Sequence, residues 1–157
     1  MKKIIACGLV LAMWGAVSTV CLASYYREPY EVLYDGYQKT KSNYNGFVTL
    51  SCDIVEKVKS GGISEMEIAN FISNDIRSAE INIDAMGHYC NQLYPHDNMA
   101  SFCIPLIKQD ICDLKERLKN CNQRDVSEEQ GCFISECSLD LSLNMIKDNR
   151  EMINAWL

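Results

Sequence analysis

The chain has 157 residues, enough for one domain, and a formal charge of −6 from 15 basic and 21 acidic side chains. That balance excludes the basic stripe that a phosphate backbone requires, so nucleic acid is not an expected partner, and anionic membrane surfaces are disfavoured for the same reason. The chain holds nine cysteines, and in an exported chain such a density reads as a disulfide framework.

Residues 1–23 have the layout of a secretory signal peptide. Lys2 and Lys3 open it, an apolar centre runs from Ile4 to Val17, and Cys21-Leu22-Ala23 places a small residue before Ser24. Left uncleaved, the stretch from Ile4 to Ala23 is uncharged and long enough to span a bilayer. Ser18 and Thr19 interrupt it, and the small residues favour cleavage. Removing Lys2 and Lys3 leaves 13 basic against 21 acidic residues, a net charge of −8, and seven cysteines: 52, 90, 103, 112, 121, 132 and 137. Without its leader the chain is expected to be secreted or periplasmic, with no membrane association.

Residues 24–157 read as a single helical, cysteine-rich domain. Six of the eight tyrosines fall between Ser24 and Asn45. Pro29 suits the first turn of a helix. Tyr30, Tyr34, Tyr37, Lys41, Tyr44, Val48, Ser51, Val55 and Val58 then follow alternating steps of four and three, which is one helix face. Leu33, Phe47 and Ile54 widen it. Asn45-Gly46 is a turn signal, yet the phase continues across it, so one long helix is expected. Ser60-Gly61-Gly62 should end it.

The second helix has the clearest start. Ser64-Glu65-Met66-Glu67 is a capping box, flanked by Ile63 and Ile68 at the positions of a hydrophobic staple. Ile68, Ile72, Ala79, Ile83, Met86, Cys90 and Leu93 hold one face, which Asp75 interrupts. Glu65, Glu67, Glu80 and Asp84 make the surface acidic. Pro95 limits the helix end, because the residue before proline avoids helical geometry.

Asp97 or Asn98 can cap the third helix, and Pro105 is expected to kink or restart it. Ile104, Ile107, Ile111, Leu114, Leu118 and Cys121 keep a three-four rhythm. Ser127 to Gln130 repeats the capping-box pattern before a fourth helix whose apolar residues cover more than one face, the mark of a buried helix. No alternating β-branched segment competes. The expected fold is all-α: an up-down bundle of about four helices, stapled by disulfides.

Two turns carry the staples. Cys90 and Cys103 bracket residues 95–98, and Cys121 and Cys132 bracket residues 123–127, each cysteine about two helical turns from a loop. A bond needs Cα atoms within roughly 7 Å, which packed helix ends can supply. Cys52, Cys112 and Cys137 fall in one layer at about 1.5 Å of rise per residue. Cys52–Cys137 is the expected third bond, with Cys112–Cys137 close behind. Cys112 is about 130° from the centre of its helix's apolar stripe, so it is expected off the core seam. There it could join two chains as a covalent homodimer.

Sites of chemistry are sparse. His88, Cys90 and His96 lie close in sequence, but His88 and Cys90 are about 200° apart on a helix, and no CxxC accompanies them. No metal or cofactor is expected. With two histidines and no nucleophile motif, no catalytic set can be assembled, and an enzyme is not expected. The tyrosines are the feature that suggests function, since tyrosine is favoured at protein contacts. Tyr25, Tyr26, Tyr30 and Tyr34 are the candidate contact residues for a protein partner, with the acidic second helix beside them. The rival expectation is a carrier of a small apolar ligand, held among Met86, Met99, Met145 and Met152.

Overall fold

A computed structural model describes the backbone of residues 2–122 and 129–156, and the side chains of residues 29–121 and 138–156. Among the described residues the chain is helical with no strand. Helix α1 runs Lys2–Lys59. Helix α2 comprises three consecutive segments, Glu65–Asn70, Phe71–Ile76 and Arg77–Leu93. Helix α3 runs Met99–Asn122 and α4 Glu129–Ala155.

Local chemistry explains the ends. α1 closes in a Schellman motif: Gly62 N–H donates to Lys57 O at 2.9 Å, Gly61 N–H donates to Val58 O at 3.2 Å, and Gly61 takes φ 68°. Ser64 caps α2 through the full capping box, with Glu67 reaching back to the Ser64 N–H at 2.9 Å. Tyr94 leaves helical geometry before Pro95 (φ −134°, ψ 67°), and Asp97 N–H donates to Tyr94 O, closing a β-turn with proline second. Met99 N–H donates to Asp97 Oδ1 at 2.8 Å, starting α3.

Three expectations change. α1 does not begin at Pro29 but passes through it; loss of one backbone donor is absorbed within a longer helix. α3 likewise runs unbroken through Pro105. Cys90 and Cys103 lie about one turn from their loop rather than two, because α2 continues to Leu93 and α3 starts at Met99. The Ser127–Gln130 capping box lies outside the described residues.

The middle of α2 contains the main departure from regular geometry. Phe71–Ile76 is a π-helical turn. A strict α-helix would carry Ile72 to Asp75 and Ala79 on one face. The wider turn instead places Phe71 and Ile76, five apart, on the buried side and leaves Asp75 half-buried. Ala79, Ile83, Met86 and Cys90 then continue the core face.

α1 packs against α2 and α4, and α3 packs against the same two, so the four helices form a ring around one core. Cross-links show neighbours running antiparallel. Tyr37 and Lys41 reach the carbonyls of Trp156 and Asn154, while Lys59 pairs with Asp140 at 2.7 Å. Lys108–Asp84 and Lys115–Glu80 ion pairs fix α3 beside α2. The core includes Val48, Ile83, Met86, Ile107, Ile111, Leu114, Leu118, Leu139, Ile146 and Ile153. The rings of Phe47 and Phe71 stack at 6.1 Å between centroids.

One polar network crosses this core. Asn149 Nδ2 donates to Asp110 Oδ2 at 2.6 Å, both side chains being buried. The Tyr44 hydroxyl, near Asn149, donates to Ile146 O at 3.4 Å. Burial pushes Tyr44 well above the ordinary tyrosine value, and the nearby Asn149 amide partly offsets this. α4 is not buried all round: Leu141 and Met145 face solvent. Its apolar residues outnumber the positions that its two neighbours can cover.

No disulfide forms among the described residues, where Cys52, Cys90, Cys103 and Cys112 are thiols. The side chains of Cys132 and Cys137 lie outside the described residues, and with them the Cys121–Cys132 and Cys52–Cys137 pairings. Cys112 is exposed, off the core seam as its phase requires. Among the residues whose side chains are described, no helix is long and apolar enough to cross a membrane.

Candidate functional site

The tyrosine face divides at one helical turn. Tyr37 and Tyr44 are fully buried, whereas Tyr30 is 51% exposed and Tyr34 37%. The rings of Tyr30 and Tyr34 stack at 6.3 Å with 12° between planes, as residues four apart on a helix can. The divide follows from the neighbours' lengths: α2 ends at Leu93 and α4 at Ala155, so α1 outruns its partners beyond Tyr37. The side chains of Tyr25 and Tyr26 lie outside the described residues.

All four helices contribute to this end of the bundle. Tyr37 donates its hydroxyl to Trp156 O at 3.3 Å, tying α1 to the end of α4. Tyr94, just past α2, lies near Tyr30. Desolvation raises Tyr94 above the ordinary tyrosine value, and the neighbouring Tyr30 adds to it. Burial raises Tyr37 further, with Cys90 adding to it. Gly36 allows the close approach here: a Cβ on it would fall 2.6 Å from the Tyr89 ring.

Between these elements lies a cavity of about 230 Å³. Tyr94 and Trp156 give it aromatic walls, and Cys90, Met99, Ala100 and Ala155 complete the apolar lining. The Asp97 carboxylate also lines it. Cys90 and Cys103 are both buried, and burial followed by the Asp97 charge pushes the Cys90 thiol up to about 11; the same causes raise Cys103. Neither is a poised nucleophile. An exposed apolar strip, Met99, Phe102 and Leu106, runs from the cavity along α3.

Other expected features are dispersed. Of the five acidic residues on α2, Glu80 and Asp84 are paired with lysines of α3, and Glu67 is engaged in the capping box, its carboxyl held below the ordinary range by the Ser64 bonds. Most of that acidic surface is therefore committed within the chain. Of the four methionines, Met86 is core, Met99 lines the cavity, and Met145 faces solvent on another part of α4. His88 and His96 are exposed while Cys90 is buried, and among the described residues no three side chains converge as metal ligands.

The sequence reading missed Tyr94, Asp97 and Trp156 as members of one site. A usable signal existed: each sits at a helix end, Tyr94 and Asp97 flanking Pro95 and Trp156 at the close of α4. Their meeting depends on which ends share a pole of the bundle. Comparison with protein-family models, curated proteins and solved structures finds no match for this chain.

Proposed function

We propose that this is a secreted or periplasmic helical protein that acts by binding a protein partner, in the manner of an inhibitor, immunity or effector module. The observation that carries the reading is the exposed, ring-stacked pair Tyr30 and Tyr34, beside Tyr94 at the rim of an aromatic cavity. Large aromatic side chains held in place lose little entropy on binding and are enriched among the residues that dominate interface energy. Phe102, 73% exposed, and Leu106 extend the apolar surface away from that rim. The cavity is smaller than the roughly 300–1,000 Å³ of drug-sized ligand sites, which favours contact with a protein over enclosure of a small molecule. The dispersal of the methionines points the same way.

The reading includes an exported location after removal of residues 1–23, and oxidation of Cys90 and Cys103 to a bond across the α2–α3 turn. Their positions, about one helical turn to either side of the α2–α3 turn, support that pairing. Loss of a native bridge from a small secreted domain costs about 2–5 kcal/mol. Non-reducing peptide mapping of the exported protein should recover the Cys90–Cys103 peptide; finding both thiols free would refute the pairing.

Native mass spectrometry after mild purification from the organism's own exported fraction tests the function. A stoichiometric protein adduct is expected. Replacing Tyr30 and Tyr34 together with Ser should weaken it by about 2 kcal/mol or more, roughly 30-fold. A small molecule co-purifying in place of a protein would overturn the reading in favour of a carrier.

A further inference from the structure

We infer that the cavity receives a cationic side chain of the protein partner, an arginine in preference to a lysine; the inference rests on the protein-binding reading above. Three sources of negative potential converge there. The first is the Asp97 carboxylate. The others are the C-terminal ends of α2 and α4, whose last turns supply Cys90 and Ala155 to the walls. A helix C-terminus carries about half a negative charge, and neither of these helices has a basic residue in its last turn. Lys41 Nζ donates to Asn154 O at 3.2 Å and so answers part of the α4 end's charge, which leaves Asp97 and the α2 end as the larger sources. The N-terminus of α3 opposes the effect, and part of the Asp97 charge answers it, because Asp97 Oδ1 accepts the Met99 N–H.

Asp97 is exposed, and among the described residues no lysine, arginine or histidine pairs with it. The walls suit the rest of such a guest. Tyr94 and Trp156 place aromatic rings, which attract a guanidinium, in the lining, and Met99 and Ala100 add apolar surface for the methylene stem. Arginine is favoured because its planar, weakly hydrated head both stacks on aromatic rings and hydrogen bonds a carboxylate. A cavity of about 230 Å³ admits one side chain entering from the rim rather than a whole drug-sized ligand. The net charge of −6 raises the local concentration of cations.

N-acetyl-arginine amide, titrated into the full-length protein, tests this. The reporter is the indole N–H resonance of Trp156, assigned with Trp156→Phe because Trp14 is the second tryptophan. The arginine probe should shift that resonance. N-acetyl-citrulline amide, nearly the same shape without the charge, should bind at least about tenfold more weakly, as one lost charge contact allows. Asp97→Asn should weaken the arginine probe by a similar factor, while asparagine preserves the cap of α3. Citrulline binding as tightly as arginine would overturn the inference, as would full arginine binding by Asp97→Asn. If Asp97→Asn fails to fold, the comparison of the two probes on the unaltered protein decides. A captured partner indifferent to Asp97→Asn would sink the cavity assignment and leave the protein-binding reading standing. Arginine binding in a protein that captures no partner from its own exported fraction would do the reverse.

Discussion

Asn149→Ala isolates the polar network that crosses the core. The amide donates to the Asp110 carboxylate at 2.6 Å in a site where both side chains are 8% exposed. A hydrogen bond to a charged acceptor contributes about 1.5–3 kcal/mol, and the buried carboxylate would then lack its donor. Tyr44 keeps its own bond to Ile146 O. Alanine regains about 0.5 kcal/mol through helix propensity. The net loss should be about 2–3 kcal/mol, lowering the melting temperature by roughly 5–10 °C in a chain of this size. Asp110→Ala should cost less, about 1–2 kcal/mol, because a neutral amide left without its acceptor is less costly than a buried carboxylate left without its donor. The double variant should fall short of the sum by about 1.5 kcal/mol, the coupling of residues in one network. Urea unfolding followed by circular dichroism at 222 nm measures all three. An Asn149→Ala protein within about 0.5 kcal/mol of wild type, or an additive double variant, would refute the reasoning.

Gly46→Ala should stabilise the protein by about 0.5–1 kcal/mol, because Gly46 is exposed inside α1 and a Cβ there meets nothing within 4 Å; a lower urea midpoint would contradict this. Burial raises the pKa values of Tyr37 and Tyr44, so the unfolded chain releases these protons above about pH 10 while the folded chain retains them. Their contribution is therefore complete below pH 10 and is lost as pH rises toward the folded values; Tyr44→Phe should reduce that alkaline loss, and an unchanged slope in an alkaline stability series would contradict it. Cys112 is exposed, and we propose that under oxidising conditions it joins two chains. A wild-type dimer band on a non-reducing gel should vanish with Cys112→Ser, and its persistence would show that another thiol makes the link.

Much of the architecture was legible because it depends on local chemistry. The capping box at Ser64, the stop at Gly61-Gly62, the break before Pro95 and the three-four rhythm of residues 104–121 each act over a few residues, and all appear as read. The off-seam position of Cys112 followed from helical phase alone. Where an α-helical period was assumed for α2, the reading placed Asp75 in the core face; packing of Phe71 and Ile76 against the bundle is satisfied instead by a π turn. Pro29 and Pro105 looked like a start and a break, yet helices that extend well to either side of them carry on through both.

The candidate site was legible only in its aromatic half. Tyr30, Tyr34, Tyr37 and Tyr44 share one face, and nothing in that pattern says where burial stops. The lengths of α2 and α4 decide it, leaving two rings outside and two within. Periodicity records which side of a helix is apolar. It carries no record of which helix ends meet, so only the antiparallel ring of four helices places Tyr94, Asp97 and Trp156 around one cavity beside Tyr30.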